Sequence, residues 1–208
     1  HAVVEKFGLD ESIRDSQKES EIAAAFETIL ENEVFFRFGK NLHLSVQIQV
    51  QIASNRLRAL AKHQAEQRAQ GWKIIDVELK VGDKLPWSIA GHPMTMMLDR
   101  VERHQQTGEI RVMDYKTSSK AKPPQNAHLE NYKPEENKPI LGELVASGKK
   151  ELRWSNLQLP LYAWFAQQHY QCEEIPRVGY IQLPNAVFQR FPRQAFTQQT
   201  RKSIRKQG

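Results

Sequence analysis

The stretch LDRVERHQQTGEIRVMDYKTS, residues 98–118, decides the fold, because it predicts two β-strands that fold back on each other. Residues 94–103 and 110–118 are rich in β-branched and apolar side chains, and the polar segment HQQTGE between them is a hairpin signal. A turn centred on that segment places opposite each other the residues whose numbers sum to 213. Asp99 and Asp114 are such a pair, so we expect them to face each other across the hairpin.

These opposed acids predict a metal site. Directly opposed residues on one face of a sheet have Cβ atoms about 5 Å apart, and period-two alternation puts Lys116 on the face that carries Asp114. Two carboxylates this close repel each other unless a cation lies between them, which favours a divalent metal ion. Two alternatives stay open at this point. A one-residue bulge at Gly108 would shift the register, and the same residues could form a solvated hairpin with a surface ion pair.

The residues around the hairpin favour the metal site. Gly91, LDR at residues 98–100 and VMDYKT at residues 112–117 resemble the PD-(D/E)XK nuclease superfamily, and within it the RecB-type exonuclease branch. Downstream, QLPLY at residues 158–162 is similar to the Q-x-x-x-Y helix motif of that branch, and HAVVEKF at residues 1–7 resembles its leading histidine helix. Each motif alone is weakly specific. Four of them in the family's order, spread over most of the chain, make the resemblance specific.

The resemblance implies an α/β protein with a restriction-endonuclease-like core. That core has the order α-β-β-β-α-β, with a mixed central sheet flanked by helices, and here it would carry additional N-terminal helices. We expect residues 1–208 to form a single nuclease domain, with a helical part at about residues 20–70 inserted before the sheet. We also expect the domain to be excised from a longer protein.

Hydrophobic spacing predicts the elements without the resemblance. Helices are expected at residues 1–7, 20–38 and 155–170, and strands at residues 72–81 and 177–183. Together with the hairpin, these give the order helix, three strands, helix, strand that the resemblance implies.

Two segments are ambiguous. Residues 41–70 begin with strict alternation, LHLSVQIQVQIA, but their apolar residues also share one helical face and strong helix formers follow, so we predict one long helix. Residues 119–150 are polar, contain four prolines and have no sustained periodicity. We predict a long loop there that contacts or gates nucleic acid, with a disordered spacer as the alternative.

The resemblance implies Mg²⁺ or Mn²⁺ as the cofactor and assigns its ligands. Asp99 and Asp114 would be bridging or adjacent ligands, completed by the backbone carbonyl of Tyr115 and the imidazole of His1. Glu78, in the first predicted strand, would serve a second metal, although an exposed strand glutamate is an equally good interpretation of it. Hard oxygen ligands suit both cations, and Mn²⁺ accepts a nitrogen ligand better.

Other residues are assigned to the phosphate and to DNA. Lys116 would orient the attacking water or stabilise the phosphate in the transition state. By resemblance, Gln158 and Tyr162 would contact DNA near the scissile bond. The segment after residue 184 combines cations with interleaved phenylalanines, as expected of a surface that tracks phosphates, although a basic solvated tail is the plainer alternative. Its candidate DNA-binding residues are Arg190, Arg193, Arg201 and Lys202.

The composition limits the classes of function that this protein can have. The net charge of +6 and a pI near 9.4 favour a polyanionic partner. Cys172 is the only cysteine, so this chain cannot supply the four thiolates of an iron–sulfur cluster. The sequence shows no apolar run long enough for a membrane span and no signal-peptide pattern, and we expect a cytoplasmic protein.

The sequence therefore predicts a metal-dependent deoxyribonuclease of exonuclease type in DNA repair or recombination. Its partners would be DNA ends and helicase-like domains of the same or a partner chain. The alternative is a catalytically inactive nuclease-like module that binds DNA or scaffolds a helicase complex.

Overall fold

The computed structural model describes residues 1–118, 123–136, 144–147, 150–183 and 187–190; Lys150 and the last four residues are described by their backbone alone. Its helices span Ala2–Leu9 (α1), Glu19–Phe38 (α2), Leu44–Ala69 (α3), Pro124–His128 (α4) and Gln158–His169 (α5), with a 3-10 turn at Pro134–Glu136. Its strands span Trp72–Val81 (β1), Ser88–Ile89 (β2), His92–Pro93 (β3), Met96–His104 (β4), Ile110–Lys116 (β5), Leu129–Asn131 (β6), Val145–Ser147 (β7), Lys150–Trp154 (β8), Arg177–Gln182 (β9) and Val187–Arg190 (β10).

The central sheet has five strands in the order β1-β4-β5-β9-β10. β5 and β9 run parallel, and the other neighbours run antiparallel. The parallel pair is possible because α5 carries the chain back across the sheet, whereas β4 and β5 are joined by a short turn. The mixed sheet flanked by helices confirms the predicted fold class.

The hairpin that decides the fold has the predicted register. Four pairs from Arg100↔Met113 to Arg103↔Ile110 have numbers that sum to 213. Gly108 lies in the turn with φ of 71°, a conformation that glycine adopts without steric cost. The bulge that would have shifted the register is not present in this hairpin.

The long α3 resolves the ambiguity of residues 41–70 in favour of the helix. Its second half buries one face, formed by Leu57, Leu60, Ala61 and Ala65, against the N-terminal core. The residues of the first half are mostly exposed to solvent, so their alternating pattern does not decide between helix and strand. Helix formation there follows from continuity with the packed second half.

Two apolar clusters sandwich the sheet. Met113, Tyr115 and Ile181 pack on one face with α1, α2 and α3. Val112 and Val178 pack on the other face with α5. Period-two alternation along β5 therefore directs Asp114 and Lys116 towards the α5 side of the sheet.

The prediction of a loop without elements at residues 119–150 is wrong for the described part of that segment. α4 lies within it, and β6, β8 and β7 form a small antiparallel sheet in that order. Strands of three to five residues are too short to show periodicity in sequence, and their stability comes from pairing and from the buried Trp154. An ion pair between Arg153 and Glu130 crosses the β6–β8 pair.

A buried charge cluster joins β4 to β5. The carboxylate of Glu102 pairs with the guanidinium groups of both Arg100 and Arg111, and all three residues are at most 3% exposed. Arg100 also donates to the Tyr115 hydroxyl at 2.9 Å and to Gln64 Oε1 at 2.5 Å. Burial alone would raise the pKa of Glu102, but the two guanidinium charges outweigh it and lower that pKa to about 2. The arginine of the DR motif thus serves the core of the protein.

Within the described residues, no helix combines the length and the apolar character needed to cross a bilayer.

Candidate active site

The candidate site lies where β4 and β5 stop pairing. The last recorded pair of their ladder is Arg100↔Met113, one position before the two acids. Beyond it, the Asp99 carboxylate takes the place of a backbone partner, because its Oδ2 accepts a hydrogen bond from the Tyr115 N–H at 2.9 Å. The strands therefore open at Asp99 and Asp114, and the side chains between them are available for chemistry.

His1, Glu78 and Asp99 form a cluster at this opening. The His1 Nδ1 lies 3.8 Å from Glu78 Oε1 and 3.8 Å from Asp99 Oδ2. One candidate ligand atom from each residue lies within 4.8 Å of the others, a spacing that a single cation can bridge. Three separate elements, namely the start of α1, β1 and β4, supply these groups.

Local backbone features bring two of these groups together. Glu78 has φ of 47°, a left-handed conformation that is rare for a residue with a side chain and that clusters at functional sites. Gly8 lets α1 approach β1 closely, because a Cβ added at Gly8 would lie 2.4 Å from Val77 Cγ1. His1 reaches Glu78 and Asp99 from the other end of that helix.

Asp114 belongs to a second, adjacent set of contacts. Its Oδ2 lies 2.6 Å from Lys116 Nζ, and its Oδ1 accepts a hydrogen bond from Gln158 Nε2 at 3.1 Å. Gln158 Nε2 also donates to the Tyr162 hydroxyl at 2.8 Å, and that hydroxyl donates to the Met97 carbonyl at 2.5 Å. The two polar residues of the Q-x-x-x-Y motif therefore tie α5 to both β5 and β4.

Lys116 has a further set of neighbours that the sequence did not reveal. Its ammonium lies 4.7 Å from the centre of the Tyr180 ring, a cation–π distance. The Tyr180 hydroxyl is 2.5 Å from His128 Nε2, and His128 Nδ1 is 3.0 Å from the Asn156 carbonyl. Because a carbonyl only accepts, Nδ1 carries the proton, and in the neutral imidazole Nε2 accepts from Tyr180. Burial lowers the pKa of His128, which favours this neutral form.

No sequence signal identified His128, because it lies in the segment predicted to be a loop. Tyr180 was predicted only as part of a buried strand. Their approach to Lys116 depends on the parallel pairing of β5 with β9, which places Asp114 beside Tyr180. A short-range pattern cannot reveal a contact of this kind.

The electrostatics of the site favour a bound cation. Burial raises the pKa of Glu78, of Asp99 and of Asp114, and the charge of Asp99 raises the pKa of the other two further. Without a cation, burial and mutual repulsion destabilise the ionised form of these carboxylates, and a bound divalent cation stabilises it. Carboxylate oxygens together with one imidazole are ligands that suit Mg²⁺ or Mn²⁺. The residues present thus fit a divalent metal ion.

The structure places the predicted site residues in two neighbouring groups. His1, Glu78 and Asp99 come together, and Asp114, Lys116, Gln158 and Tyr162 form the adjacent set. The Tyr115 side chain points into the core, so its predicted ligand is the backbone carbonyl alone. Metal and DNA binding by all of these residues stay predictions. The Arg190 side chain and all of Arg193, Arg201 and Lys202 lie outside the described residues.

The fold and the site together define an α/β protein of the restriction-endonuclease-like class, with acids and a lysine at the open end of two neighbouring strands. A family model of the PD-(D/E)XK nuclease superfamily matches residues 1–207, and the chain therefore belongs to this superfamily. Membership implies nuclease activity, with DNA as the bound polymer, and nucleases of this superfamily generally use divalent metals. No curated protein matches the chain.

Proposed function

We propose that this protein is a divalent-metal-dependent deoxyribonuclease of the RecB-type exonuclease branch. It would hydrolyse phosphodiester bonds at DNA ends during repair or recombination in the cytoplasm. Helicase-like domains of the same chain or of a partner would deliver the strand. The observation that carries this proposal is the cluster of His1, Glu78 and Asp99 directly beside the Asp114–Lys116 pair.

The acids and the histidine would hold Mg²⁺ or Mn²⁺. We assign Asp99 and Asp114 as the central ligands, with the Tyr115 carbonyl, His1 and Glu78 around them. When bound, the metal lowers the pKa of a water molecule and acts as a Lewis acid on the phosphate. Asp99 is already held by the Tyr115 amide at 2.9 Å, so it requires little reorganisation on binding.

Lys116 would act on the phosphate. As an ammonium it carries three donors and no acceptor, so it can orient a phosphate oxygen or the attacking water. Contacts with Asp114 and with the Tyr180 ring limit its rotamers and hold the ammonium at the open end of β5. A group held in place in this way loses little entropy when the substrate arrives.

Gln158 would link the helix α5 to the reacting phosphate. Its amide nitrogen fixes Asp114 at 3.1 Å, and Tyr162 fixes Gln158 in turn. Gln158 and Tyr162, which we predict to contact DNA, would therefore also orient the metal ligand Asp114. The described hydrogen bonds already engage the Tyr162 hydroxyl, so we assign Tyr162 the more indirect part of this role.

The basic C-terminal segment would supply affinity without sequence specificity. Cations at Arg190, Arg193, Arg201 and Lys202 would neutralise backbone phosphates. Such contacts contribute most of non-specific DNA binding and weaken as salt increases.

A cleavage assay tests this function. Linear and circular DNA of the same sequence are incubated with the protein in Mn²⁺, in Mg²⁺ and in EDTA. We expect metal-dependent loss of the linear form and persistence of the circle, as for an enzyme that requires an end. Binding of DNA without loss of either substrate, by protein whose circular dichroism shows it folded, would instead identify a catalytically inactive nuclease-like module.

A further inference from the structure

A groove of about 480 Å³ opens beside His1, between the three N-terminal helices. It is lined by residues of α1, α2 and α3 and by Thr117 and Leu183, which follow β5 and β9. The buried part of its lining consists of the apolar residues Val4, Leu30, Leu57 and Leu183 and of one acid, Glu33. Because His1 belongs both to this groove and to the candidate metal cluster, the groove is continuous with the active site.

Two arginines give the groove a positive charge. Arg37 and Arg56 both line it together with one acid, Glu33, so these three side chains keep a net positive charge. Glu33 is paired with Lys6 at 2.5 Å and with Arg37 at 3.0 Å. Arg56 Nη1 donates to the carbonyl of Thr117 at 3.3 Å. Thr117 directly follows Lys116, so Arg56 lies beside the chain segment that carries the candidate phosphate-binding lysine.

Exposed apolar side chains extend the groove away from the site. Phe38 and Ile52 line it and are 55% and 37% exposed. Ile48 and Leu44 continue from Ile52 at four-residue spacing along the same face of α3, and both are also exposed. A contiguous apolar surface of this kind indicates a binding function.

We propose that this groove binds single-stranded DNA that runs to the active site. Phe38 and Ile52 contact unstacked bases, and Arg37 and Arg56 bind phosphates. The proposal rests on the proposed nuclease function and adds the strandedness of the substrate. Aromatic and apolar contacts together with cations are the features by which proteins hold single strands without reading sequence.

Duplex DNA fits these features poorly. In a duplex the faces of the bases are stacked inside the helix and only their edges are exposed. Phe38 and Ile52 can therefore contact base faces only in an unpaired strand. A partner protein that covers the exposed apolar residues is the alternative occupant, and the binding experiments below distinguish it from a single strand.

Metal-free binding tests the groove separately from cleavage. A labelled single-stranded oligonucleotide and a blunt duplex of the same sequence are titrated with the full 208-residue chain in EDTA, and fluorescence anisotropy is measured. We expect Phe38→Ala to weaken single-strand binding roughly 5- to 100-fold and to leave duplex binding nearly unchanged. Arg56→Gln should reduce the slope of log affinity against log salt by about 0.7, the value for one phosphate on a single strand.

Matched controls lie on the same helices. Phe36 is 86% exposed on α2 and Arg58 is exposed on α3 beside Glu27, and neither lines the groove. Phe36→Ala and Arg58→Gln should bind the single strand like the parent. The groove assignment is overturned if Phe38→Ala matches Phe36→Ala, or if it loses single-strand and duplex binding equally.

Cleavage of linear DNA by the parent in Mn²⁺ tests the proposed nuclease activity independently of the proposed groove. A parent that does not cleave, combined with selective loss of single-strand binding in Phe38→Ala, removes the proposed activity and supports the groove. A parent that cleaves, combined with groove variants that bind like the parent, supports the activity and identifies the apolar face as a surface for another protein, which overturns the groove proposal.

Discussion

The carboxylate of Asp99 replaces a backbone partner of Tyr115. Its Oδ2 accepts a hydrogen bond from the Tyr115 N–H at 2.9 Å. Asp99 lies one residue, and Tyr115 two residues, beyond the last ladder pair, Arg100↔Met113. At the end of the ladder, the Tyr115 N–H is therefore bound by a side chain and not by water. The candidate metal ligand Asp99 is held in place by β5, the strand that carries Asp114. The same bond couples the geometry of the site to the register of the hairpin.

Asp99→Asn should separate charge from geometry. The amide keeps an oxygen that can accept the Tyr115 N–H and removes the negative charge. Burial raises the pKa of Asp99 in the folded, metal-free protein. A carboxyl of this kind stabilises the fold below its unfolded pKa, and that stability is lost as the pH rises through the folded pKa. At pH 7 in EDTA, Asp99→Asn should therefore unfold at a higher temperature than the parent.

Thermal unfolding with and without Mn²⁺ provides the measurement. Mn²⁺ should raise the melting temperature of the parent and have little effect on Asp99→Asn, because the variant has lost a central ligand. The advantage of the variant in EDTA should shrink as the pH falls through the folded pKa of Asp99. It should be nearly gone by about pH 3, below the ordinary aspartate pKa of about 3.9, where the carboxyl is mostly protonated in both states of the parent. Equal stabilisation of parent and variant by Mn²⁺ would rule out Asp99 as a ligand.

Lys116→Ala should separate metal binding from catalysis. An ammonium cannot ligate a cation, so Mn²⁺ affinity measured by calorimetry should stay the same or increase slightly as one positive charge leaves the site. Cleavage of linear DNA should fall roughly 10²- to 10³-fold, as for loss of a group that stabilises transition-state charge. Lys62→Ala, at an exposed position of α3, is the matched control and should cleave like the parent. If Lys116→Ala cleaves at the parental rate, the assignment of this lysine is incorrect.

Gly8→Ala should displace His1 without touching it. The new Cβ would lie 2.4 Å from Val77 Cγ1, and a β-branched side chain in a strand cannot rotate away easily, so α1 must move. We expect a loss of about 1–3 kcal/mol in unfolding free energy, the usual cost of overpacking, together with weaker Mn²⁺ binding.

A double variant tests the mechanism of that effect. Adding Val77→Ala removes the clashing Cγ1 and should restore Mn²⁺ affinity measured by calorimetry, even though it costs further stability. Failure of the double variant to recover Mn²⁺ affinity would mean that the closeness of α1 and β1 does not position His1.

The hairpin could be predicted because its information is local. A polar turn flanked by strand formers sets the register, and the observed pairs end at Arg100↔Met113, directly before Asp99 and Asp114. The contact between Asp99 and the Tyr115 amide could not be predicted in this way, because register arithmetic does not tell where a ladder opens. Asp114 likewise meets Gln158 only after the chain has crossed the sheet through α5.

His128 shows where sequence reasoning fails. It is fully buried beside Tyr180, yet it lies in a polar segment rich in proline that has no periodic pattern. Its position is set by a five-residue helix and by small strands whose partners are distant in sequence. Arg100 is a second case, because nothing in the LDR motif indicates that its guanidinium pairs with Gln64 and Glu102 in the core.

The cluster of Glu102 with Arg100 and Arg111 predicts a specific pH dependence of stability. The pKa of Glu102 is lowered from its ordinary value of 4.5 to about 2 in the folded protein. A carboxyl with a lowered folded pKa stabilises the fold above its unfolded pKa, and that stability is lost as the pH falls towards the folded value. The window for this effect is therefore between about pH 4.5 and pH 2.

Glu102→Gln should cost about 3–5 kcal/mol of unfolding free energy at pH 7, because it leaves two buried guanidinium groups without a counter-charge. The difference from the parent should shrink as the pH falls below 4.5, since the parent then protonates the same carboxyl. Urea unfolding at pH 7, 5 and 3 measures both effects. Glu27→Gln removes the partner of Arg58 in an exposed ion pair and should cost less than about 1 kcal/mol at each pH. A cost for Glu102→Gln as small as that of this control, or one independent of pH, would mean that the buried cluster contributes no more than a surface ion pair.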